Sequence, residues 1–77
     1  MELETAIAVK ALPLAVRQAV DKGYAGYQLR EAATIKRGGT TCYEAEVAKS
    51  KKSFDLLFDP NGRLLKQTPL NPTDPEK

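Results

Sequence analysis

Glu44, Glu46 and Asp55 are the side chains in this sequence best placed to do chemistry. They fall at alternate positions of neighbouring extended stretches, so they would share one face of a sheet. Grouped carboxylates are the equipment of general acid–base catalysis, where one is held protonated and another ionised. No pocket-forming aromatic or deep concavity is evident around them on that face, and one helix cannot build a closed cleft. They are expected to be surface charges interleaved with Arg30 and with lysines across strands. Asp59, Asn61 and Gly62 resemble the opening of a calcium loop. Such a loop needs further oxygen ligands and a late bidentate glutamate, whereas Arg63, Leu64 and Leu65 follow here, so a plain turn is expected and no metal site. Cys42 is the single cysteine. It admits no internal disulfide, and Glu44 on its own face disfavours the thiolate. An intermolecular disulfide is the alternative. Histidine is absent, which removes the commonest general base near neutral pH and a common metal ligand. No catalytic constellation emerges, no cofactor is implied, and the chain is expected not to be an enzyme.

The basic residues gather at Lys36-Arg37 and at Lys49, Lys51 and Lys52. Both clusters sit at expected chain reversals, which in a meander lie at opposite ends of the sheet. They should not merge into a phosphate-tracking groove. The net charge of +2, from 12 basic and 10 acidic residues, is too balanced to argue for nucleic acid or an anionic membrane. The chain is 77 residues long, with 42% hydrophobic and 29% charged residues, which places it among small globular domains rather than disordered chains. No apolar run approaches the ~20 residues of a membrane helix, and the start MELETAIAVKALPLAV lacks the pattern of a signal peptide.

The elements that must position these residues follow from periodicity. Residues 1–11 are a lead-in, with Ile7 and Val9 leaning toward a strand. Pro13 suits a helix start and restricts Leu12 to extended geometry. Leu12, Val16, Ala19 and Val20 then recur at helical spacing up to a stop at Gly23. Tyr27 to Lys36 alternates as a strand, though its face is blurred, because Glu31 falls among the apolar positions and Ala32 among the polar ones. Gly38-Gly39 reverses the chain. Tyr43, Ala45 and Val47, and then Phe54, Leu56 and Phe58, mark two further strands with one buried face. Asp59-Pro60-Asn61-Gly62 is a strong turn signal, and Arg63 to Gln67 returns. These readings give an α+β fold in which one short N-terminal helix packs on a four-stranded antiparallel meander. The domain is expected over residues 12–68, with a flexible tail at 69–77. The helix should cover Leu29, Ile35, Tyr43, Val47, Phe54, Leu56 and Phe58. The opposite face, with Arg30, Thr34, Glu44, Glu46, Asp55 and Leu57, should be open to water or a partner.

Several of these residues together resemble a known family. Leu12-Pro13 with Ala15-Val16, Tyr24, the glycine hairpin, Tyr43-Glu44-Ala45-Glu46-Val47 and Leu57-Phe58-Asp59-Pro60-Asn61-Gly62-Arg63-Leu64 look like a PepSY-like domain. That group is related in fold to the β-lactamase inhibitor protein, and the resemblance covers roughly Leu12 to Gln67. It implies a non-enzymatic domain that binds or inhibits a protein partner through the sheet surface away from the helix. It also implies an exported or envelope-associated setting if an export signal has been removed, and a cytoplasmic one otherwise. The expected partner is therefore an unidentified protein, with Arg30, Thr34, Glu44, Glu46, Asp55 and Leu57 as contact residues. A homodimer through the same surfaces is the nearest variant. Nucleic-acid binding through the basic tips is the alternative from another class.

Overall fold

A computed structural model of the chain describes residues 2–70. The order of elements is β1 (Glu2–Ile7), a 3-10 turn (Val9–Ala11), α1 (Leu14–Gly23), β2 (Gln28–Arg37), β3 (Thr40–Lys49), β4 (Lys52–Phe58) and β5 (Leu64–Leu70). The strands form one antiparallel sheet in the order β1-β2-β3-β4-β5. The fold is α+β with an antiparallel sheet, but the sheet has five strands, not four. The N-terminal lead-in supplies the fifth. Leu3, Thr5 and Ile7 alternate with Glu2, Glu4 and Ala6, and the strand pairs with β2 over its whole length. As an edge strand it buries little, and only Ile7 is even half-buried, so its sequence carries a weak period-two signal. At the other end β5 continues to Leu70, past the expected domain limit at 68. The expected tail beyond that, residues 71–77, lies outside the described residues.

Helix α1 begins where Pro13, at φ −55 and ψ 148, turns the chain into helical geometry and accepts the Arg17 N–H at 3.0 Å. Its buried residues are Val16 and Val20, one turn apart, and Leu12 extends the stripe backward. These three pack on Ala32, Ala45, Val47, Leu56 and Phe58 of the sheet to form the core. Val16, Ala45, Val47 and Leu56 are wholly buried. Tyr24, Tyr27 and Phe54 close one end as an aromatic cluster, with Tyr24 and Tyr27 edge-to-face at 5.5 Å. The Tyr24 hydroxyl donates to Gln67 Oε1, tying the end of the helix to β5.

The turns keep the meander in register. Gly38, at φ 60, opens the β2–β3 reversal. The β3–β4 turn has no glycine, and Ser50 takes the left-handed φ of 58 instead. In the β4–β5 turn, Gly62 N–H donates to Asp59 O at 3.0 Å. The Asp59 carboxylate accepts from Asn61 N and Arg63 N, each at 2.9 Å. Asp59 and Asn61 are thus engaged in turn chemistry as the residue types predicted. Gly62 is constrained twice, by φ 89 and by a backbone approach that would put a Cβ 2.5 Å from Ala15 O. The turn therefore seats against the first turn of α1.

Three stability outcomes follow. Phe58→Ala should cost ~3–5 kcal/mol, most of what a domain this small has available. Gly62→Ala should cost ~2 kcal/mol or more through strained φ and the Ala15 contact, whereas Ser50→Gly should gain ~0.5–1 kcal/mol by relieving a left-handed non-glycine residue. Urea denaturation of the three variants measures each change, and a neutral Gly62→Ala would contradict the close approach.

Candidate functional site

One irregularity decides which residues line the open face. The β2–β3 register shifts between Leu29 and Glu31, so Arg30 sits in a bulge. A bulge inserts one residue and inverts the side-chain alternation beyond it. Leu29, opposite Val47, faces the helix. Past the bulge Ala32, opposite Ala45, takes over the core side, and Thr34, opposite Tyr43, follows it. Glu31, Ala33 and Ile35 turn outward. Thr34 is therefore on the helix side, Arg30 is an exposed bulge residue, and Ile35 belongs to the outer face rather than the core. Glu44, Glu46, Asp55 and Leu57 stand on the outer face as their spacing predicted. The blurred pattern at Glu31 and Ala32 was the sequence trace of this bulge.

The outer face is concave. A depression of about 440 Å³ runs over it, lined among others by Ile35, Arg37, Cys42, Glu44, Asp55, Leu57 and Lys66. A smaller hollow of about 80 Å³, bounded by Glu4, Glu31, Glu46 and Ala33, shares Glu44 and Asp55 with it. Ile35 and Leu57 are half-buried apolar residues of the floor. Cys42 lies beside Ile35 with a free thiol and is half-buried. Glu2, Glu4 and Lys66 also belong to this face: Glu2 and Glu4 because the N-terminal lead-in is strand β1, and Lys66 because a register shift past Leu64 sets it opposite Leu57.

Charge is distributed unevenly. By register the outer face carries Glu2, Glu4, Glu31, Glu44, Glu46 and Asp55 but, of the basic residues described, only Arg37 and Lys66. Among the described residues that is six of the eight acidic and two of the eleven basic ones, so a chain of net positive charge presents an acidic sheet face. Arg37 is already paired with Glu2. Glu46 stands directly opposite both Glu31 and Asp55, an arrangement in which like charges destabilise a sheet. The electrostatic result is visible at Glu44. Burial first, then hydrogen bonding with Glu4 and the negative charges of Asp55, Glu4 and Glu2, push its carboxyl up to about 7. Asp55 is raised for similar reasons, by burial and by Glu4 and Glu31. Among the described residues no group of His, Cys, Asp and Glu is arranged to hold a metal ion, and no helix is long and apolar enough to cross a membrane. The Lys36-Arg37 and Lys49–Lys52 tips lie at opposite ends of β3.

No protein-family model matches the chain, and no curated protein matches it in sequence. Among solved structures it is similar to a DUF2874 family protein from Bacteroides uniformis, with 18% identity and a TM-score of 0.83. The similarity covers 94% of this chain and 56% of that one, so the chain spans little more than half the length of its structural neighbour. At this identity the likeness is one of fold.

The raised Glu44 carboxyl sets the pH dependence of stability. A carboxyl with a higher pKa folded than unfolded binds more protons in the folded state. Stability should therefore fall as pH rises from about 4.5 to about 7, and level off above. Glu44→Gln should remove most of that slope and add ~1–2 kcal/mol near pH 8, a gain reduced by solvent screening at a half-buried site, with no gain near pH 4. Denaturation curves at about pH 4, 6 and 8 test this; a stability that rises steadily over the interval would contradict it.

Proposed function

We propose that this chain is a small non-catalytic binding module, PepSY-like in type, that receives a protein partner on the outer face of its sheet. One observation carries the reading. Helix α1 covers one face of the sheet, and the other keeps two half-buried apolar residues, Ile35 and Leu57, at the floor of an open concavity walled by charge. A one-sided antiparallel sheet is ordinarily polar on its wet face, and an apolar floor inside a polar rim is the anatomy of a protein contact. The resemblance in sequence to PepSY-like domains supports the same face, because inhibitor relatives use the surface away from the helix. An envelope setting and an inhibitory role belong to this proposal on the same ground. Self-association is the variant, and the edges β1 and β5 offer backbone groups for it.

Glu44 is the observation that favours chemistry instead, since an acid that titrates near neutrality suits proton transfer. The surroundings weigh against it. The depression is open to water, and of its two cations, Arg37 and Lys66, the first is engaged by Glu2. Nucleic acid is disfavoured by the acidic face and by the separation of the two basic tips.

Placing a photo-crosslinking phenylalanine analogue at Leu57, and separately at the exposed helix residue Gln18, tests the binding reading in a lysate of the source cells. A discrete protein adduct confined to position 57 is the expected result. Adducts at both positions alike, or at neither, would remove the outer face as the binding surface.

A further inference from the structure

The two hollows of the outer face share Glu44 and Asp55 and so form one continuous surface, apolar at Ile35 and Leu57 and acidic along Glu31, Glu46 and Asp55. The acidic row runs straight across three strands, because Glu31 pairs with Glu46 and Glu46 with Asp55. A sheet usually relieves such a row with a cross-strand lysine or arginine. Here the residue beyond Asp55 on β5 is Thr68, and among the described residues the ion pair between Arg37 and Glu2 is the one formed. The row is left without a cross-strand cation although nine basic residues lie elsewhere than this face among the described residues. Cationic charge supplied by a partner would relieve it.

We propose that the outer face receives an extended cationic segment of a partner protein, its lysine or arginine side chains meeting Glu31, Glu46 and Asp55 and an apolar side chain resting on Ile35 and Leu57. The inference rests on the binding-module reading and adds the chemistry of the occupant. An extended segment fits because it projects alternate side chains to one side, so cationic and apolar residues can fall on the acidic row and the apolar floor in turn. Charge complementarity of this kind sets encounter rate and specificity and is screened by salt.

The test uses the full chain and a fluorescein-labelled peptide in which every second residue is alternately lysine and valine, with threonine between (Lys-Thr-Val-Thr repeated), so that both face one side when extended; it is read by fluorescence anisotropy against a matched peptide with glutamate in place of lysine. The lysine peptide should bind, and its affinity should fall at least about tenfold between about 0.02 and about 0.2 M salt. Glu31→Gln/Glu46→Gln/Asp55→Asn should weaken binding at least about tenfold, and Asp21→Asn on the helix should leave it unchanged. Thermal melts accompany each variant, and because the triple change removes repulsion it should fold at least as well as the parent. No binding of the lysine peptide, equal binding of the glutamate peptide, or equal loss with Asp21→Asn would overturn the proposal. So would a solution mass that rises with concentration and falls back in Lys51→Glu/Lys52→Glu, since the occupant would then be another copy's basic hairpin. A crosslink confined to position 57 with no affinity for the lysine peptide would sink the cationic assignment alone; failure of both would sink the binding reading beneath it.

Discussion

Everything in this domain hangs on one small apolar contact, the stripe of Leu12, Val16 and Val20 laid on Ala32, Ala45, Val47, Leu56 and Phe58. A ten-residue helix is marginal alone, and a sheet with one bare apolar face is no more stable. Each is the other's cover. The sheet side of the contact includes two alanines, Ala32 and Ala45, which let the helix approach closely but contribute little area. Phe58, Leu56 and Val47 therefore supply most of the apolar area. With so few contributors there is little slack, and the Asp59–Gly62 turn under the first helical turn and the Tyr24–Gln67 contact at the last act as clasps at either end.

The same division of labour frees the other face. Because the core is complete on the helix side, the outer residues answer to solvent and neighbours rather than to folding. They accumulate features that a stability-driven sheet would avoid, including carboxylates directly opposite one another and a carboxyl whose ionisation is pushed up to near neutrality. Residues that work against the fold are better explained by what the surface meets than by what the core needs.

Much of this was legible in the sequence, and the losses have physical causes. The helix, its start at Pro13 and its Leu12-Val16-Val20 stripe are strong signals, as are the alternation at Tyr43–Val47 and Phe54–Phe58 and the Asp59–Gly62 turn. The fifth strand showed only as a leaning at Ile7 and Val9, because an edge strand with one half-buried residue has almost no apolar period. The bulge at Arg30 left only the blurred alternation at Glu31 and Ala32, because alternation counts residues and one inserted residue inverts every later assignment on that strand. That single slip exchanged Thr34 and Ile35 between faces and concealed the apolar floor. The four outer residues read correctly, Glu44, Glu46, Asp55 and Leu57, all lie on strands without a preceding bulge.

Strand β1 has a consequence for the order of assembly. Strands β2 to β5 are joined by tight reversals and need only local closure, whereas β1 reaches β2 across about 20 residues (8–27) that include the helix. It is the non-local strand, the last to gain from docking and the first to leave. With it go Glu2 and Glu4, and the vacated rim of β2 becomes a free row of backbone donors and acceptors. Departure of one short strand would thus lower the negative potential of the outer face and open a template for strand exchange in a single event.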